Sequence, residues 1–82
     1  MTIATQDELD LLLLDAHAQN DVSQLIRLYE SAADISEQEG DIDACCFYLT
    51  HAFVFALESG SSRADILNCR LVRHGRASRL KL

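Results

Sequence analysis

Between Asp43 and Glu58 the chain runs for 14 residues, Ala44 to Leu57, without a formal charge. Wound at 3.6 residues per turn, this stretch places Ile42, Cys45, Cys46, Leu49, Ala52, Phe53 and Ala56 on one face. Phe47, Tyr48, His51, Val54 and Phe55 fall on the opposite face. Both are apolar, so the pattern predicts a helix that needs covering from two sides.

Upstream, Thr5 and Glu8 have the spacing of a capping box, in which each side chain satisfies a free backbone N–H at a helix start. A first helix begins there, with Leu9, Leu12, Leu13 and Ala16 as its inner stripe and Leu11, Leu14 and Ala18 widening that stripe to a second side. Asn20, which tolerates the left-handed conformation, ends it. A spacing of 20 residues then recurs: Asn20, Gly40 and Gly60 are stops, and Asp21, Asp41 and Ser61 (or Ser62) are acceptors that cap the next helix. Val22 matches Ile42, and Ala32 matches Ala52.

The second helix carries a stripe of Val22, Leu25, Ile26, Tyr29, Ala32, Ala33 and Ser36 opposite Arg27, Glu30, Asp34 and Glu37. Small side chains at Ala32, Ala33 and Ala52 allow the second and third helices to approach closely. A fourth helix starts at Ser61 or Ser62, with Asp65 completing a capping box from Ser62, runs through Ile66, Leu67, Leu71 and Val72 towards His74, and stops at Gly75. The expected architecture is all-α, with four antiparallel helices near residues 6–19, 21–38, 41–58 and 62–74 and linkers of about two to three residues. They form a single domain over residues 1–75, and residues 76–82 form a basic tail expected to fray unless a partner holds it.

The segment Ile26 to Ser59 resembles a degenerate tetratricopeptide repeat. Tyr29 stands where that repeat places an aromatic, Ala32-Ala33 replaces its Leu-Gly pair, Gly40 sits at its turn, Cys45 takes a small-residue slot and Ala52 its most characteristic Ala. Ser36 takes a slot usually filled by Tyr, Leu49 replaces an aromatic, and the closing Pro is missing. The resemblance implies two helical hairpins and a role in binding protein. It also implies a groove at Arg27, Glu30, Asp34 and Glu37, mostly acidic and without the basic residues that grip a carboxylate.

Composition sharpens this picture. Pro is absent and Gly occurs three times, which favours helix throughout. A domain of 82 residues buries only roughly 60% of its unfolded surface, so sharing a core with a second chain is advantageous. The acidic start, with Asp7, Glu8 and Asp10, is the opposite of a secretory leader, which points to a cytoplasmic protein. The uncharged run falls short of the roughly 20 residues of a bilayer span and reads as a buried helix, not a membrane one. Three cysteines, with Cys45 and Cys46 adjacent on one helix, suit reduced core thiols.

Charge is divided unevenly. Residues 1–62 hold 12 acidic residues against Arg27 alone, whereas Arg63, Arg70, Arg73, Arg76, Arg79 and Lys81 face only Asp65 in the remainder. The net charge of −6 and the lack of aromatics among the arginines disfavour nucleic acid as a partner. The line Glu30, Asp34 and Glu37 is the expected counterpart of the basic end, in the same or a neighbouring subunit.

His17, His51, His74, Cys45, Cys46 and Cys69 are zinc-ligand types, but no short-spaced pair on a turn organises them, so packing is the expected role and no metal or cofactor is assigned. Cys69 and His74 lie roughly 140° apart on a helix, too far round to form a nucleophile and base. Around Gly40 the alternating oxygen ligands of a calcium loop are missing. The sequence thus points to a non-catalytic interaction or assembly module, with Phe47, Tyr48, His51, Val54 and Phe55 meeting a protein partner or a second copy in a homodimer. The alternative is a small regulatory protein contacting nucleic acid through its arginine-rich end.

Overall fold

The computed structural model describes residues 6–76. Four helices succeed one another: α1 (Gln6–Ala18), α2 (Val22–Gln38), α3 (Ile42–Ser59) and α4 (Arg63–Arg73). No strand occurs among the described residues. These bounds lie within one residue of the expected ones. Thr5, Arg79 and Lys81 lie outside the described residues.

The recurring stops work as the spacing demands. Asn20, Gly40, Gly60 and Gly75 all adopt positive φ, between 52° and 78°, and the next N–H reaches back to close each helix end. Asp21 donates to the Ala16 carbonyl, Asp41 to Ser36, Ser61 to Ala56 and Arg76 to Leu71, at 2.9 to 3.0 Å, which is the Schellman bond repeated four times. Asp21 and Asp41 then cap the next helices, their carboxylates accepting from the N–H groups of Gln24 and Ala44 at 3.2 and 3.1 Å.

At the start of α4 the acceptor is Ser61, and the capping box expected from Ser62 does not form. Ser62 makes no side-chain cap, because its φ of −62° and ψ of −17° are already helical, whereas Asp21 and Asp41 have ψ near 80°. The Ser61 hydroxyl instead accepts from the Arg63 N–H at 3.1 Å.

Each helix packs on its sequence neighbour, and the α2 and α3 pair shares the most extensive contact. Ala33, Ala52 and Ala56 are buried between these two helices and allow a close approach, whereas Ala32, expected beside them, turns towards α1. One core cluster joins α2, α3 and α4 through Ile26, Ala33, Cys45, Cys46, Leu49, Ala52, Ala56, Ala64, Leu67 and Leu71. A second joins α1 to α2 through Leu9, Ala16, Leu25, Leu28 and Ala32. Tyr29, Tyr48 and Phe55 pack against both and weld them together.

Two stripes are narrower than the sequence suggests. Leu12 is exposed and Leu13 only half-buried, because α1 lies along α2 and meets α3 only through side chains such as Phe55. Ile66 is exposed because α4 lies along α3, with α2 meeting it on one flank, and no helix among the described residues covers its other side. By length and composition α3 is apolar enough to cross a membrane. Its inner side, however, is committed to α2 and α4, whose outer surfaces carry ion pairs.

Leu49 is fully buried at the centre of the larger cluster. Its replacement by Ala is expected to destabilise the fold by about 2–5 kcal/mol, and Asp41→Ala, which removes a cap, by about 1 kcal/mol. Urea unfolding followed by circular dichroism measures both; equal losses contradict this division between core and cap.

Candidate functional site

Three features of the surface carry chemistry: an apolar stripe on α3, a seam of ion pairs between α2 and α4, and a cluster of donor atoms where α2, α3 and α4 meet.

The stripe is the side of α3 left uncovered. Phe47 is 58% exposed, Val54 44% and Leu57 43%, and with exposed Thr50 they recur every three or four residues along about 15 Å of helix. Thr50, His51, Val54 and Phe55 border a recess of about 260 Å³ beside it. The residues expected at an interface therefore divide. Phe47 and Val54 stand out from the surface, whereas Tyr48, His51 and Phe55 are half-buried by neighbouring helices of the same chain. Leu57 joins the stripe although the two-face division of the sequence assigned it to neither side, since helical spacing alone does not show which flank the neighbours leave open.

Behind the stripe lies an aromatic platform centred on Tyr29. Its ring stacks on His51, with centroids 5.1 Å apart, and on Phe55 at 5.9 Å. The Tyr29 hydroxyl lies 3.1 Å from His17 Nε2, which ties α1 to the platform. The His51 ring is aimed by its Nδ1–H, which donates to the Phe47 carbonyl at 2.9 Å. Phe47 touches both Tyr48 and His51, so the exposed ring rests on an ordered base. Burial pushes the Tyr29 phenol above its ordinary value of 10.0, and Tyr48 adds to the shift.

The acidic line of α2 is met by α4 of the same chain. Arg63 grips Glu30 through Nε and Nη2, at 2.8 to 3.0 Å. Arg70 Nη2 lies 2.9 Å from Asp34 and 3.7 Å from Glu37, and His74 Nε2 lies 2.9 Å from Glu37. The pairs advance in the same order along both elements, so α2 and α4 run in the same direction. Arg76, placed by the sequence at the start of the tail, pairs with Asp43 of α3. Among the described residues Arg27 and Arg73 make no ion pair. Each exposed pair contributes at most about 1 kcal/mol, so the seam sets the orientation of α4 more than the stability of the fold.

At one end of the seam, Glu37, Cys45 and His74 converge, with donor atoms all within 4.8 Å of one another. The hydrogen bond from His74 holds the Glu37 carboxyl below the ordinary range; partial burial opposes this and Arg70 reinforces it. Burial pushes the Cys45 thiol up, and the Glu37 carboxylate adds to the effect. A buried thiol held protonated is the reverse of an activated nucleophile, although His74 is close. Sequence spacing gave no sign of this trio, since its members stand on three helices and Cys45 and His74 are 29 positions apart. Cys69, the cysteine on the same helix as His74, is not part of it.

No family model matches the chain, and no curated protein or solved structure shows a significant match.

Because Tyr29 ionises with more difficulty in the folded chain, its stabilising share is present below 10.0 and is lost as pH rises through the raised value. Absorbance titration is expected to show one tyrosine ionising late and Tyr29→Phe to remove that component. Persistence of the late step in Tyr29→Phe contradicts the assignment.

Proposed function

We propose that the chain is a non-catalytic protein–protein interaction or assembly module that associates with a second copy of itself, most simply as a two-fold dimer in the cytoplasm. The observation that carries this reading is the uncharged stripe Phe47, Thr50, Val54 and Leu57 standing exposed beside half-buried His51 and Phe55. Contiguous apolar surface of this kind is uncommon on monomers, and aromatics anchored on a rigid base are the side chains that dominate interface centres. A two-fold axis lets the same stripe serve as both surfaces.

The repeated caps, the short connections and the shared direction of α2 and α4 support a finer reading, in which the helices form two tetratricopeptide-like hairpins. In that arrangement Glu30, Asp34 and Glu37 are engaged with the chain's own arginines, which leaves the apolar stripe as the surface for a partner. The pairing of Arg63, Arg70 and Arg76 weighs against the alternative of a small regulatory protein contacting nucleic acid through its arginine-rich end. A phosphate backbone competes there with carboxylates already in place.

Light scattering during size exclusion is expected to report about twice the chain mass at micromolar concentration. Phe47→Ser is expected to give a monomer with unchanged helical content, because Phe47 is mostly exposed within the subunit. A wild-type monomer on which Phe47→Ser has no effect overturns the reading. Salt-dependent binding of the wild-type chain to a generic DNA or RNA promotes the alternative.

A further inference from the structure

We propose that Glu37, Cys45 and His74 form a binding site for a zinc-class divalent ion, which clips the end of α2 to the start of α3 and the end of α4. One carboxylate oxygen, one thiol sulfur and one imidazole nitrogen are a zinc-type donor set, and each comes from a different helix or helix end. Glu37 Oε2 lies 2.9 Å from His74 Nε2 and 3.9 Å from Cys45 Sγ. Tetrahedral ligands on zinc stand about 3.3–3.6 Å apart, given bond lengths of about 2.0–2.3 Å. Gathering the three donors onto one ion therefore needs head-group shifts on the order of 1 Å, which side-chain rotation supplies without moving a helix.

The surroundings are divided in a way that suits the site. Oε2 of Glu37 faces Cys45 and His74, whereas Oε1 faces Arg70 Nη2 at 3.7 Å. Arg70 is in turn anchored on Asp34 at 2.9 Å, so it orients the carboxylate from behind as an outer-shell partner does. A recess of about 120 Å³ lined by Glu37, Arg70, Arg73 and His74 opens to solvent, giving an entry path and room for water as the fourth ligand. Cys45 closes the back, fully buried. The two arginines are the opposing charges. They face Glu37, Asp34 and, once the ion is bound, a Cys45 thiolate, so three negative groups offset them around the ion. Binding expels the thiol proton and leaves His74 Nε2 as an acceptor with the remaining ring proton on Nδ1, so affinity rises with pH.

The test uses the intact chain, with reduced thiols, titrated with Co²⁺ and then Zn²⁺. The expected result is one ion per chain, a thiolate-to-cobalt absorption band, its loss when zinc is added, and a higher unfolding temperature with zinc than with a chelator. Cys45→Ser is expected to abolish the band, whereas Cys69→Ser leaves it intact. His74→Gln, at a partly exposed helix end that folds without the ring, is expected to weaken Co²⁺ binding by about tenfold or more. No thiolate band in the wild-type chain overturns the proposal, as does a band that survives both Cys45→Ser and His74→Gln.

Discussion

The structure depends on the need to cover α3 from more than one side. A helix with no charge between Asp43 and Glu58 loses free energy wherever it meets water, and roughly 25 cal/mol is at stake for each Å² of apolar surface. Three other helices are available among the described residues, and each lies flat against only its sequence neighbours. Ala52 and Ala56 let α2 approach closely, Leu67 and Leu71 bring in α4, and the Phe55 ring reaches the edge of α1 at His17. The stripe from Phe47 to Leu57 is what remains when those three helices have been used.

The polar features result from that arrangement. Once α2 and α4 both pack against α3, Glu30, Asp34 and Glu37 face Arg63, Arg70 and His74 in register, and the pairs discriminate against a rotated or shifted α4. Their individual contributions are small, so the seam selects the setting of α4 more than it stabilises it. The same convergence sets the Glu37 carboxylate against the buried Cys45 thiol at the end of the seam. Among the described residues no buried side-chain N or O lacks a hydrogen-bond partner, so the interior of this small domain holds no polar strain of that kind.

The helices were legible because their ends are local. Asn20, Gly40, Gly60 and Gly75 require a left-handed backbone, and Asp21 and Asp41 cap α2 and α3, all within a few residues of chain. Which apolar residues lie inside was harder to read. Leu12 and Ile66 satisfy helical periodicity as well as Leu9 and Leu67 do, yet α1 and α4 sit at the two ends of the series and have a neighbour on one side only. Periodicity reports that a face is apolar and leaves its cover to topology. The candidate site shows the same limit: the face bearing Phe47 and Val54 was visible as apolar, whereas the aromatic platform under it depends on Tyr29 and His17 arriving from other helices. The grouping of Glu37, Cys45 and His74 arises wholly from packing, and no spacing in the chain encodes it.

The inner side of α3 is covered by its own chain, and its outer stripe is proposed to be covered by a second copy. The most direct test is an isotope-filtered nuclear Overhauser experiment on a mixture of labelled and unlabelled chains, which detects only contacts between copies. Cross-peaks are expected from the Val54 and Leu57 methyl groups of one copy to the Phe47 ring of the other, and none from the Leu49 or Leu67 methyls. Intermolecular peaks absent from Val54 and Leu57, in a sample whose folded state is confirmed by the Leu49 contacts within the chain, would contradict the proposed covering by a second copy.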